Sequence, residues 1–225
     1  MPSTVRRLLL FALLCAAGVA VLALLFYGSD RFSDLDTRAT AKLLATEGSR
    51  SESVADSASD LANGGPLLLF TLILVGLGLY WRRPAHLLAG LAVVVLANLT
   101  TQGMKLVLSH PRVQGEFGAS YPIEIGYPSG HTTAAFSVGF ALWLTAPPGR
   151  RLLAGLVGFG YGLVVGAGVV VAGWHYLSDV AGAIMVVGFW AALAMAALVS
   201  GGYEPSPSAP DRQAGGDAAQ PRVRA

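Results

Sequence analysis

Six stretches of this chain run for 16 to 24 residues almost without charge: residues 8–27, 66–81, 85–108, 131–146, 152–174 and 180–200. Lys105, near the end of the third, is the one charged residue inside them. A bilayer core of about 30 Å is crossed by roughly 20 apolar residues of helix, so each stretch reads as a transmembrane helix, the second and fourth being short. The expected fold is therefore an all-α membrane protein, a bundle of six transmembrane helices. With 54% hydrophobic and 12% charged residues, the composition excludes a disordered or ordinary soluble chain. A formal charge of +2 is too small and too dispersed to imply nucleic acid as a partner. Cys15 is the single cysteine, so neither an intramolecular disulfide nor a cysteine metal cage can form.

Basic residues set the expected orientation, because Lys and Arg are retained in short cytoplasmic segments. Arg6 and Arg7 precede the first span, Arg82 and Arg83 lie in the turn after the second, and Arg150 and Arg151 join the fourth and fifth. With six spans all three pairs fall on one side, which places both termini in the cytoplasm of a multi-pass cell-membrane protein. The first span resembles a secretory signal, but its apolar part is longer and no small-x-small cleavage site follows, so it reads as an uncleaved anchor. A large residue, Leu14, before Cys15 argues against a lipoprotein signal. The domain reading is an N-terminal anchor at 1–28, an extracytoplasmic loop at 29–64, a transmembrane core at 65–201 and a disordered cytoplasmic tail at 202–225. The loop mixes four basic with seven acidic residues and suggests a surface helix or a flexible flap. The tail, rich in Pro, Gly, Ser and Ala, has no apolar face to bury.

Ionisable groups beside a membrane are costly and often functional. Three clusters carry them: Lys105 with Arg112; the run Tyr-Pro-Ser-Gly-His-Thr-Thr from Tyr127; and Gly-Trp-His-Tyr-Leu-Ser-Asp from Gly173. The charge-based topology, made without these motifs, puts all three at the non-cytoplasmic ends of spans three to six. Taken alone, Lys105 and Arg112 read as a snorkelling lysine and an interfacial arginine. Seven residues separate them, about two helical turns, but Pro111 biases His110 out of a helix and puts Arg112 on the loop beyond. Pro-Ser-Gly-His before an apolar run is a helix start, with Ser129 as cap and Gly130 admitting a ligand to the backbone. Free amides there favour an anion, and His131 can donate a proton to a leaving oxygen. His175 and Asp179 are spaced to pair on one helical face or across a turn, and a carboxylate on one ring nitrogen leaves the other as an exposed lone pair.

Together these groups match phosphoryl transfer through a phosphohistidine. Lys105, Arg112, Ser129 and Gly130 would bind phosphate; His175 would attack phosphorus, His131 would protonate the leaving group, and Asp179 would orient His175. No cluster with metal-ligand spacing accompanies them, so no metal and no cofactor are expected.

These residues resemble the type-2 phosphatidic acid phosphatase superfamily, related to lipid phosphate phosphatases and vanadium haloperoxidases. Its signature runs Lys-x6-Arg-Pro, Pro-Ser-Gly-His and Ser-Arg-x5-His-x3-Asp. Lys105 and Arg112 match the first part, Pro128 to His131 the second, and His175 with Asp179 the end of the third. Two positions depart: Val113 follows Arg112, with Pro111 on its other side, and Gly168 and Val169 stand where the pattern has Ser-Arg. The resemblance implies a metal-independent membrane hydrolase acting on a lipid phosphate or diphosphate at the extracytoplasmic face. Phosphatidic acid, phosphatidylglycerol phosphate and polyprenyl diphosphate are the implied candidate substrates, and the lipid bilayer is the implied partner. Loss of one preorganised donor lowers turnover by about a hundred- to a thousandfold in other enzymes. Val169 therefore keeps open the alternative of a catalytically silent lipid-phosphate-binding protein; a phosphotransferase to an alcohol acceptor, which would share every residue named, is another. Arg38 or Lys42 of the outer loop could substitute for the missing arginine. A transporter fits less well, since its ionisable groups belong near the midplane.

Overall fold

The computed structural model describes residues 2–110 and 125–203. Arg112, its neighbours Pro111 and Val113, and the tail beyond residue 203 lie outside the described residues. The chain is a helical bundle: α1 (Ser3–Gly28), α2 (Asp30–Ala41), α3 (Arg50–Asp60), α4 (Gly64–Tyr80), α5 (Pro84–Lys105), α6 (Gly130–Thr145), α7 (Arg151–Val171) and α8 (Leu177–Ser200). One turn of 3-10 helix (Pro148–Arg150) leads into α7. Between α5 and α6 two short strands, β1 (Ser109–His110) and β2 (Ile125–Gly126), pair antiparallel, with Ser109 opposite Gly126.

The short α4–α5 turn reflects its residues. Arg82 takes a left-handed φ of 53°, and Pro84 opens α5, where a missing amide hydrogen costs nothing. α6 is apolar on all sides, as a helix at the centre of a bundle is, and it packs on α4, α5, α7 and α8. At its crossing with α7, a Cβ on Gly139 or on Gly158 would collide with the other's backbone, so the two helices approach through glycine. Polar side chains bridge the spans: Thr101 Oγ1 and Thr133 Oγ1 are 3.0 Å apart, and Trp190 Nε1 donates to Thr100 Oγ1 at 2.9 Å. The outer surface is apolar, with Leu13, Leu14 and Leu24 of α1 and Leu152, Leu153 and Leu156 of α7 all exposed. So broad an apolar surface is that of a protein embedded in lipid.

Among the described residues, four helices are long and apolar enough to cross a membrane: α1, α5, the 3-10 turn with α7, and α8. α3 and α4, bent by 49° at their junction, pass the same test as a pair, giving up to five. α6 has 16 residues and α4 has 17, about 24 and 26 Å of helix, which is why they fall short alone. The chain is thus an all-helical, multi-pass membrane protein. At one end of the bundle, Arg83 donates to the carbonyls of Thr145 and Ala146, and Arg151 Nε donates to the carbonyl of Ala146 at 3.2 Å. The basic turns after α4 and α6 therefore meet. The motifs lie at the other end.

Residues 29–64, the outer loop of the sequence, fold as two short helices instead of a flap. Ser29 and Ser49 cap them, accepting from the amides of Phe32 and Glu52. α3 packs along α7, and α2 turns buried Asp36 and Thr40 toward α8.

Candidate active site

α7 ends where Gly173 adopts a φ of +71°, a conformation that glycine alone takes without strain. The amide of Trp174 then bonds the carbonyl of Val169 at 2.8 Å, and that of Gly173 bonds Val170, the pattern of a Schellman stop. The amide of His175 adds a third bond, to Val169, at 3.1 Å. The glycine thus reverses the chain and fixes the backbone of His175 against the last turn of α7.

His175 and Asp179 pair across this turn and not along one helix face, since α8 begins at Leu177. Nδ1 of His175 lies 2.9 Å from Asp179 Oδ2, and the same oxygen accepts from the amide of Tyr176 at 3.1 Å. His175 is 2% and Asp179 1% exposed. A carboxylate can only accept, so the ring hydrogen sits on Nδ1 and the lone pair of the neutral ring on Nε2. Asp179 also stands in the first turn of α8, where the helix dipole favours its charge.

The Pro-Ser-Gly-His run reaches the same place. Its Tyr127–Pro128 bond is cis. Ser129 caps α6 by accepting from the amide of Thr132 at 3.4 Å, and its own amide donates to the carbonyl of Asp179 at 3.1 Å. That bond ties the start of α6 to the start of α8. Lys105 comes in from the end of α5: a Cβ on Gly130 would lie 3.1 Å from Lys105 Nζ and 3.5 Å from Gln102 Nε2. The absence of a side chain at Gly130 is what lets the ammonium approach the helix start. His131, one residue on and half-buried, sets its ring 5.3 Å from that of Trp174, the residue before His175. Its Nε2 is 2.9 Å from Asn63 Oδ1.

The structure therefore brings Lys105, Ser129, Gly130, His131, His175 and Asp179 to one end of α5, α6 and α8. Arg112 belongs to the segment outside the described residues. Tyr127, next to the cluster, donates to the carbonyl of Val19 at 3.0 Å, and burial, followed by the charge of Asp179 and by Tyr27, pushes its phenol pKa up.

Three contributors, Thr40, Asp36 and Asn63, escape the motifs. Thr40 Oγ1 accepts from the amide of Leu177 at 3.2 Å and Asp36 Oδ1 from that of Ser178 at 3.4 Å, so α2 caps α8. Asn63 and Trp174 touch His131. Of the three, only Asn63 carried a local signal, as a cap-type residue before Gly-Gly-Pro and an apolar run. Gly168 and Val169, where the pattern has Ser-Arg, also have a structural setting. A Cβ on Gly168 would stand 2.8 Å from the carbonyl oxygen of Ala55 and 2.9 Å from Ser59 Oγ, so α3 lies directly against it. Val169 is fully buried, and its carbonyl holds the His175 turn. Arg38 is exposed and 3.4 Å from Asp34, and Lys42 is exposed as well.

With this geometry in hand, comparison with known proteins defines the class. Residues 83–201, more than half of the chain, match the family model of the PAP2 superfamily, and the chain belongs to that superfamily. A similar solved structure is the crystal structure of the first transmembrane PAP2 type phosphatidylglycerolphosphate phosphatase from Bacillus subtilis. It is 18% identical, with a TM-score of 0.64 over 85% of this chain and 94% of that one, a likeness of fold. No curated protein sequence matches the chain at a significant level.

Proposed function

We propose that this protein is an integral membrane phosphatase that hydrolyses a lipid phosphate or diphosphate through a phosphohistidine on His175. The carrying observation is the orientation of that ring: Nδ1 bonded to buried Asp179, which puts the lone pair of the neutral ring on Nε2, at the place where the Lys105 ammonium meets the start of α6. Membership of the PAP2 superfamily supports the assignment. The Bacillus subtilis neighbour is a phosphatidylglycerolphosphate phosphatase, which puts that lipid among the candidates beside phosphatidic acid and polyprenyl diphosphate.

In the first step Nε2 of His175 attacks phosphorus, the bond to the leaving oxygen breaks, and His131 supplies the proton that leaving oxygen needs. Lys105, the first amides of α6 and, from the following loop, Arg112 stabilise charge on the three equatorial oxygens. In the second step water attacks the phosphohistidine, His131 takes a proton from it, and inorganic phosphate leaves. Asp179 holds the tautomer throughout. No metal or cofactor enters the scheme.

The end of the bundle with the site is assigned to the extracytoplasmic side, because the basic turns cluster at the other end and Arg6 and Arg7 precede α1. In this topology α1, α4, α5, α6, α7 and α8 make six passes, and residues 65–201 form the catalytic core between the 1–28 anchor, the 29–64 outer segment and the 202–225 tail.

The second reading, a silent binder of lipid phosphates, is favoured by one observation, buried Val169 in place of an arginine. Purified protein in detergent, given a panel of lipid phosphates, decides between them. Phosphate release by the wild type, abolished in His175→Ala, supports the phosphatase; binding with no release supports the silent protein. Alcohol added as acceptor detects a phosphotransferase.

A further inference from the structure

The sequence Asn63-Gly64-Gly65-Pro66 places Asn63 at the position that caps α4, yet its side chain makes no capping bond. Its amide is committed elsewhere. Nδ2 donates to Asp60 Oδ1 at 2.8 Å, and Oδ1 lies 2.9 Å from Nε2 of His131. The two contacts determine each other. A carboxylate accepts only, so the amide must turn its nitrogen to Asp60 and its oxygen to the imidazole. An amide oxygen also accepts only, so Nε2 of His131 must carry a hydrogen. The α3–α4 corner that bears Asn63 is held in place, because Tyr161 of α7 donates its hydroxyl to the carbonyl of Leu61 at 2.9 Å. The His131 ring also packs against Trp174, tilted by 60° to its ring. A residue that gives up its local role for a contact 68 positions away marks a functional constraint.

We propose that Asn63 is a positioning residue that stores the transferable proton of the reaction on Nε2 of His131. The inference rests on the phosphatase reading above. In the resting protein the Asn63 oxygen accepts the Nε2 hydrogen and keeps the ring against Trp174. When substrate binds, the leaving oxygen takes over as acceptor. The bond from phosphorus to that oxygen breaks as the bond to His175 forms, and His131, which enters the step as the imidazolium, passes its Nε2 proton to the departing oxygen and becomes neutral with its hydrogen on Nδ1. His131 then presents an Nε2 lone pair to the oxygen of Asn63, and two lone pairs in contact repel. Removing a proton from the attacking water relieves that repulsion and restores the bond. Asn63 thus favours the acid before the first step and the base before the second, without touching the substrate.

The test uses the full chain in detergent micelles with two substrates, phosphatidic acid and p-nitrophenyl phosphate. The aryl leaving group departs as a stable anion and needs little protonation, whereas the lipid alkoxide needs a full proton. Asn63→Ala, which removes no cap from α4, should lower the first-turnover rate of leaving-group release from phosphatidic acid by about ten- to a hundredfold and that of p-nitrophenol release by under about threefold. Asn63→Asp, which keeps an acceptor at the position, should recover part of the lipid rate. Equal losses on both substrates would overturn the proposal. A second readout needs no turnover: in protein labelled with 15N-histidine, the ring shifts of His131, assigned with His131→Gln, should report hydrogen on both ring nitrogens in the wild type and more of the neutral ring in Asn63→Ala. A hydrogen on Nδ1 alone in the wild type would also overturn it. If the wild type hydrolyses neither substrate, the phosphatase reading fails by itself, and the ring shifts still decide what Asn63 does.

Discussion

His175 is buried and bonded through Nδ1 to a carboxylate; His131, half-buried, is bonded through Nε2 to an amide. In the proposed mechanism the same side chain is thereby given two chemistries. There the carboxylate fixes the tautomer with its lone pair on Nε2 and stabilises the positive ring formed when that lone pair attacks. The amide is neutral: it orients a hydrogen without pinning a charge, as suits a group that must give the proton up and recover it. The supports differ too. His175 hangs from a helix stop and a helix start within one stretch of chain, whereas His131 leans on an outer corner folded from a distant segment.

The largest effect that could break this division is removal of the nucleophile. His175→Ala should abolish phosphate release on alkyl and aryl substrates alike, by about ten-thousandfold or more, in a malachite-green assay. Residual release within tenfold of wild type would put the nucleophile elsewhere. Asp179→Asn should follow, lowering kcat by about a thousandfold or more on both substrates, since an amide can hold the ring in the wrong tautomer. Lys105→Met should cost about a hundredfold or more through lost stabilisation of phosphate oxygens, again without regard to leaving group. His131→Ala sharpens the contrast: first-turnover release of the leaving group should fall by about a hundredfold or more on phosphatidic acid and much less on p-nitrophenyl phosphate, while the hydrolytic step that both share slows alike. The smallest effect belongs to Gly168→Ala. Its new Cβ meets the carbonyl oxygen of Ala55 and Ser59 Oγ inside 3 Å, so α3 must shift, at about 1–3 kcal/mol of stability, visible as a lowered Tm in micelles.

What the sequence made legible follows the same division. Charge-free runs are local patterns, and among the described residues they marked α1, α5, α7 and α8, which are long enough to span, whereas α4 qualifies only together with α3 and α6 does not qualify. Lys105, Ser129, Gly130, His131, His175 and Asp179 were legible because each stands in a compact motif at a helix end. The spacing of His175 and Asp179 left a helix face and a turn equally open; Gly173, by stopping α7, decides for the turn. Asn63, Asp36 and Thr40 were not legible. They sit in a polar segment of mixed charge, and their partners, 68 to 142 positions away, are brought near only by the packing of α2 and α3 on the bundle. The substitutions at 168 and 169 were visible as departures, but only the structure shows that α3 occupies the space beside Gly168.

Chemical trapping addresses the central claim, that the lone pair of His175 becomes bonded to phosphorus. His131→Gln protein, slowed in the hydrolytic step, is incubated with 32P-labelled phosphatidic acid, quenched in alkali where phosphohistidine survives, and digested for mass spectrometry. The expected result is one labelled peptide carrying phosphate on His175, absent when His175→Ala is added. Label on another residue, or catalytically competent protein with no label, would contradict the account.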